Sequence, residues 1–242
     1  MNYQNIITNI QTQLRDYLSG KKAVIGISGG IDSALIATLT TRAIGSQNVW
    51  GISMPYRDQD SFDAWQVINN LGIIGREINI CKAVDENITN LEKILDKKVD
   101  KITAGNIMAR ERMKILYSVA NSIDGIVIGT GNKSEIETGY FTKYGDGGVD
   151  IEPIGDIYKT EIYEIAKILP EIPQKVIDKN PSAELWKGQT DEQDMGMTYR
   201  ELDSVLKGEI NYGDIYEKVQ KLKRNSEHKR KAPPIFEVRN KI

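Results

Sequence analysis

The stretch Ala23-Val24-Ile25-Gly26-Ile27-Ser28-Gly29-Gly30-Ile31-Asp32-Ser33 decides the fold. AVIGI has the length and apolarity of a buried strand, the Ser and Gly residues after it make a turn, and residues 32–43 show helical spacing. Strand, turn and helix in immediate succession open a βα unit. The loop's backbone amides and the helix N-terminus converge where an anion can sit. Gly29 and Gly30 remove side chains so that the backbone can approach closely, and Ser28 and Ser33 offer hydroxyl donors. Asp32 does not suit a pure phosphate cradle, because a carboxylate beside phosphates is repelled unless a cation lies between them. A Mg²⁺ ion held jointly by Asp32 and a nucleotide removes that conflict. The same residue types also make an ordinary βα turn with Asp32 or Ser33 as the helix N-cap. Neither the Walker A pattern nor the Rossmann glycine fingerprint matches.

Upstream, Ile6, Ile7, Ile10, Leu14 and Leu18 recur at helical spacing, predicting an amphipathic helix over the first twenty residues that ends at Gly20. Downstream, residues 49–54, 74–80 and 126–129 read as strands, and residues 61–71 and 102–121 as helices. This alternation predicts an α/β fold, a three-layer α/β/α sandwich with a mostly parallel, Rossmann-like sheet. Ligands should gather beyond the carboxyl ends of its strands. Residues 130–150 and 180–197 are too polar and Gly-punctuated for core and read as functional loops. Further helices are expected over 159–169, 199–207 and 215–226, and Pro233-Pro234 begins an extended tail.

Composition narrows the function classes. The 242 residues, 40% hydrophobic and 27% charged, suit one well-buried domain spanning 1–242. A net charge of -2 gives no whole-molecule attraction to nucleic acid or an anionic membrane, so anion binding must be local. Cys81 is the only cysteine and His228 the only histidine, which excludes an intrachain disulfide and Cys/His metal centres by count, leaving a hard, oxygen-bound ion. The N-terminus has no signal-peptide pattern, and no segment reaches the roughly eighteen consecutive apolar residues of a membrane span. A cytoplasmic protein is the expectation.

The string Ser28-Gly29-Gly30-Ile31-Asp32-Ser33, placed after the first strand, resembles the signature of the ATP-pyrophosphatase superfamily. That likeness implies cleavage of ATP to AMP and pyrophosphate on an adenine nucleotide alpha hydrolase-like fold. Further blocks narrow it: GTGNKSE from Gly129, GYFTKYGDGGVD from Gly139, Lys159, PSAELWKGQTDE from Pro181, and EHKRK from Glu227. In this order they resemble the ammonia-dependent NAD synthetase family over nearly the whole chain.

The resemblance implies that Gly26, Ile27, Ser28, Gly29, Gly30, Ile31, Asp32, Ser33, Thr130, Lys159 and Ser182 bind ATP. It puts Mg²⁺ on Asp32 and Glu135, and deamido-NAD on Arg110, Lys143, Asp150, His228 and Lys229, partly across a homodimer interface. One departure is visible: Gly131-Asn132-Lys133-Ser134 stands where some members carry a His and small residues, although Thr130 and Glu135 keep their spacing.

The implied reaction is amidation of deamido-NAD with ammonia through an acyl-adenylate, the last step of NAD biosynthesis. Amidation of nicotinate mononucleotide, or another ammonia-using synthetase of the superfamily, is the alternative. Chemically the set is coherent. A carboxylate is a poor acyl electrophile and needs adenylation; Lys159 and Mg²⁺ between two carboxylates suit a departing pyrophosphate; Arg110 and Lys143 suit an anionic dinucleotide. Asp150 is a candidate to take a proton from the attacking ammonia. A glutamine-dependent version needs a glutaminase domain with a nucleophilic cysteine, for which the length leaves no room, and Cys81 lies outside every block. Taken singly, each charged residue is more often a solvated surface group, so the ordered blocks carry the assignment.

Overall fold

A computed structural model describes residues 2–182, 186, 188–236 and 238. Ala183, Glu184, Leu185 and Lys187, inside the block 181–192 read above as part of the site, lie outside the described residues, as do Glu237 and residues 239–242 of the expected tail. The strands are β1 (Lys22–Gly26), β2 (Val49–Ser53), β3 (Ile74–Glu77) and β4 (Gly125–Ile128). They pair in parallel in the order β3-β2-β1-β4, with Ile25 of β1 opposite both Gly51 and Ile128. From β1 the chain therefore steps outward through β2 and β3, then returns to place β4 on the other side of β1. Such a reversal opens a crevice between the carboxyl ends of β1 and β4.

The described helices follow in chain order: α1 (Tyr3–Leu18), α2 (Ile31–Ile44), α3 (Phe62–Leu71), α4 (Cys81–Leu95), α5 (Lys101–Ile123) and α6 (Lys133–Thr138). After these come α7 (Lys159–Lys167), α8 (Gln174–Ile177), α9 (Asp191–Met195), α10 (Tyr199–Leu206) and α11 (Asp214–Asn225). Strand alternation divides the layers. Ala23 and Ile25 point into one core with α1, α2, α3, α7 and α8, while Val24, Ile52 and Val127 point into another with α4 and α5. A third cluster, built on Met195, Met197, Tyr199, Leu202, Val205 and Val219, joins α9, α10 and α11 and packs against α6 and α7.

The α/β sandwich expected from the sequence is present, with differences that have physical causes. The third strand pairs only to Glu77 instead of Ile80, although Ile78 and Ile80 still donate their N–H groups to Ser53 and Pro55. Helix α4 was not among the expected elements although Val84, Ile88, Leu91 and Leu95 recur at helical spacing; of these only Val84 is buried. The expected loop 130–150 contains α6, and the stretch 180–197 contains α9, both shorter than two full turns and so too short for a periodicity signal.

Leu35, with no exposed surface in the middle of α2, sits at the centre of the larger core. Leu35→Ala should cost about 2–5 kcal/mol of unfolding free energy, the usual range for a large-to-small core change. Urea denaturation followed by circular dichroism checks this, and a loss below about 1 kcal/mol would contradict the packing described.

Candidate active site

The crevice holds a cavity of about 1070 Å³. Its floor on the β1 side is the Gly-rich loop. Ser33 Oγ donates to the Gly30 carbonyl at 3.0 Å and accepts the Ser28 N–H at 3.3 Å, while Ser28 Oγ accepts the Gly30 N–H at 3.2 Å. These hydroxyls shape the loop, and no side chain caps the N-terminus of α2, which leaves its first-turn amides for a ligand. Gly26, Ile27, Ser28, Gly30, Ile31, Asp32 and Ser33 line the cavity. Gly29 does not line it. With φ of +81° it turns toward α3, and a Cβ there would lie 2.8 Å from Asp63 Cβ, so this glycine serves the turn and the close approach.

At the centre stands Lys159, 2% exposed, at the first position of α7. Its ammonium is bonded to Asp32 and lies 3.6 Å from Glu135, joining residues that come from the ends of β1, β4 and the following loop. Burial alone would lower the Lys159 ammonium, but Asp32 and Glu135 outweigh it and hold the group above its ordinary range. Burial pushes the Glu135 carboxyl up to about 8, opposed by Lys159 and assisted by Asp32. Thr130 and Ser182 line the same cavity, so the ATP and metal residues named from sequence converge on one place, apart from Gly29.

Two carboxylates beside the loop, aimed at a nucleotide-sized cavity, are a donor set suited to Mg²⁺, which takes one or two protein carboxylates and completes its shell with phosphate oxygens and water. Among the described residues no group of three or more His, Cys, Asp or Glu forms an all-protein cage. The arrangement fits an ion that arrives with its nucleotide.

Of the basic residues expected for the second substrate, Lys229 lines the cavity, whereas Arg110, Lys143 and His228 do not and are joined to one another. Arg110 Nε lies 3.4 Å from the Lys143 carbonyl, and Lys143 Nζ donates at 2.8 Å to the carbonyl of His228. Lys229 lines the cavity, with Nζ donating to the carbonyls of Gly139 at 2.7 Å and Phe141 at 2.5 Å; burial lowers its ammonium below the ordinary range. Asp150 stands apart. One of its oxygens accepts the Val127 N–H at 2.8 Å and the other the Tyr117 hydroxyl at 3.0 Å, and it is not among the cavity residues. Its carboxylate braces β4 against α5.

Sequence reasoning missed three contributors. Asn132, fully buried, donates Nδ2 to Asp32 at 3.0 Å while its Oδ1 accepts the Glu135 N–H at 3.0 Å, tying the two carboxylates together. It is the N-cap of α6, and the signal was available: Asn followed three residues later by Glu is a capping pattern. Glu152 lies under the Gly129–Gly131 turn, accepting the Gly131 N–H at 3.0 Å, and burial pushes its carboxyl up to about 8. Tyr199 lays its ring 5.2 Å from the Lys159 ammonium and donates its hydroxyl to Asp191 at 3.0 Å. Both are brought in by the fold from far along the chain. Asn132→Ala should raise the Mg²⁺ concentration for half-maximal turnover roughly 10- to 100-fold, as loss of a residue behind a metal ligand usually does. A Mg²⁺ titration of the steady-state rate reads it, and an unchanged midpoint would remove the role.

Comparison with known proteins places this geometry in a family. The NAD synthase family model matches residues 2–233. The NH(3)-dependent NAD(+) synthetase of Pyrococcus furiosus is 44% identical, with 96% of this chain and 94% of that protein covered. Among solved structures, the NMN synthetase of Francisella tularensis superposes with a TM-score of 0.90 at 34% identity over 97% of this chain and 98% of that one. The NH3-dependent NAD synthetase of Campylobacter jejuni, in complex with nitrate, superposes with a TM-score of 0.83 at 30% identity over 98% and 100%. With its loop, buried lysine and paired carboxylates in one crevice, the chain is an enzyme and belongs to the NAD synthase family.

Proposed function

We propose that the protein amidates the nicotinate carboxylate of deamido-NAD with ammonia, consuming ATP and releasing AMP and pyrophosphate. The observation that carries this reading is the buried Lys159 between Asp32 and Glu135 at the mouth of the Gly-rich loop. Amides at the start of α2 receive phosphate oxygens, and Lys159 offsets the charge that moves onto pyrophosphate as the carboxylate attacks the α-phosphorus. When bound, Mg²⁺ held by Asp32 and Glu135 would neutralise phosphate charge and fix the nucleotide's orientation. Arg110, Lys143, His228 and Lys229 are the basic residues for the anionic nucleotide of the acceptor. Ammonia then attacks the acyl carbon and AMP leaves. In this reading residues 1–242 form one synthetase domain, and its setting is the cytoplasm, where ATP is held at working concentration.

A second acceptor has a specific observation behind it: the Francisella structure that superposes at a TM-score of 0.90 is an NMN synthetase. Incubation with ATP, Mg²⁺ and ammonium should give AMP with deamido-NAD as the faster acceptor. A higher kcat/KM with nicotinate mononucleotide would transfer the assignment to the mononucleotide. ADP in place of AMP, AMP with neither acceptor, or full activity in excess chelator would each refute the mechanism.

The reading includes a homodimer. Ile94, Leu95 and Ile102 are 79%, 46% and 69% exposed on α4 and α5, and Ile102 also borders the cavity, so a second copy seated there buries apolar surface and walls one side of the site. Sedimentation should show a dimer that Ile94→Glu with Ile102→Glu converts to monomer. A monomeric parent would exclude this arrangement.

A further inference from the structure

One buried carboxylate takes no part in the chemistry above. Asp203, on α10, is 2% exposed and does not line the cavity. One of its oxygens accepts the hydroxyl of Ser134 at 2.5 Å, and the other accepts both the N–H and the hydroxyl of Thr160, at 2.9 and 2.7 Å. Ser134 in turn accepts the backbone N–H of Lys159 at 2.9 Å. These donors occupy the first turns of two helices. Ser134 precedes Glu135 in α6, while Lys159 and Thr160 begin α7. A negative charge at two helix N-termini is favourable, and the bonds to charged acceptors are stronger than neutral ones.

We propose that Asp203 is a positioning residue: by fastening α6 and α7 to one point it sets the separation between Glu135 and Lys159. This rests on the reading that Lys159 offsets the charge of the departing pyrophosphate. Lys159 reaches Asp32 and Glu135 through a long, four-carbon side chain, so a shift at the start of α7 is carried directly to its ammonium. Asn132 holds Asp32 to the α6 terminus, but no bond from Asn132 reaches α7. The Lys133 N–H joins α6 to the Ile157 carbonyl just before α7, and the Ser134–Asp203–Thr160 set adds a buried side-chain link between the helix starts themselves, brought in from the third cluster, where Leu202 beside it is fully buried. Asp203 thereby couples the packing of the C-terminal helices to the geometry of the reacting site.

The test measures radiolabelled AMP release by the whole chain with ATP, Mg²⁺, ammonium and the better acceptor. Asp203→Asn keeps the side-chain volume and turns one acceptor into an NH₂ group facing N–H or O–H donors. Its kcat should fall roughly 100-fold, the scale of an about 1 Å misplacement, with the KM for ATP changing less than about threefold. Lys159→Ala should fall further, and the double variant should be no slower than Lys159→Ala, because nothing remains to be misplaced. Losses that multiply in the double variant would show that Asp203 acts independently of Lys159 and overturn the proposal. Parental kcat in Asp203→Asn beside an impaired Lys159→Ala would overturn it alone; parental kcat in Lys159→Ala would overturn the reading of Lys159 and this proposal together. If circular dichroism shows Asp203→Asn unfolded, Thr160→Val carries the same double-variant test under the same criteria, since it removes a bond from Asp203 to α7 while leaving Ser134 bonded to both Asp203 and the Lys159 N–H.

Discussion

A lysine with 2% of its surface exposed cannot stand alone, and the ion pairs that Lys159 makes with Asp32 and Glu135 are what the rest of the site is arranged around. Removing an ammonium from water costs several kcal/mol that only close, well-hydrogen-bonded anions return. The anions must in turn be fixed, because a mobile carboxylate would withdraw into solvent. Asn132 meets that demand by bonding Asp32 with its amide nitrogen and the Glu135 backbone with its amide oxygen. The α6 capping box, in which Glu135 reaches back to the Asn132 N–H at 3.2 Å, fixes the second carboxylate while leaving its other oxygen toward Lys159. A helix of fewer than two turns, otherwise too short to be stable, is thus held by the same charges that make the site.

The parallel sheet makes this meeting possible. Asp32 enters from β1, Asn132 and Glu135 from the loop after β4, and these strands are neighbours although Asp32 and Asn132 are 100 residues apart in sequence. Lys159 comes from α7, whose Ile162, Ile165 and Ala166 are buried in the same core as α2, so its position is set by packing before any ligand arrives. The glycines mark where this packing leaves no room. A Cβ on Gly129 would lie 2.2 Å from the Glu152 carboxylate and one on Gly29 2.8 Å from Asp63, so the two loops that enclose the nucleotide space are pressed against side chains behind them.

Much of this was legible in the order of residues. The AVIGI strand and the Ser/Gly turn announced a βα unit, and the loop with Asp32 does line the crevice at its carboxyl end. The period-2 and period-3.6 signals recovered every strand and the long buried helices, because burial writes periodicity into sequence. Helix α4 was passed over although Val84, Ile88, Leu91 and Leu95 carry the helical period, so the signal was available. The roles of Tyr199, Glu152 and Asp203 carry no such signal. Each is an ordinary residue in its own segment and acquires its function from contacts across 64, 21 and 69 positions, to Glu135, Gly131 and Ser134 respectively. Asp150 shows the converse. It sits in a block that resembles a substrate loop, yet its two oxygens are both engaged in holding Val127 and Tyr117.

The balance of charge is what supports the proposal that nucleotide and metal bind together. Asp32, Glu135 and Asp191 border the cavity against the single ammonium of Lys159 at its centre, while Lys229 lies on the Gly139–Phe141 side and Lys179 beside Asp63. A bare triphosphate entering this centre would meet more negative than positive charge, and a bare divalent ion would find only two carboxylates already shared with Lys159. In the proposed reading each would supply what the other lacks: the ion would relieve repulsion between phosphate and carboxylate, and the phosphates would supply the oxygen donors that two carboxylates alone do not. A site built this way discriminates by charge before it discriminates by shape. With Lys159 in the role proposed for it, chemistry that moves negative charge toward pyrophosphate would be favoured over mere binding.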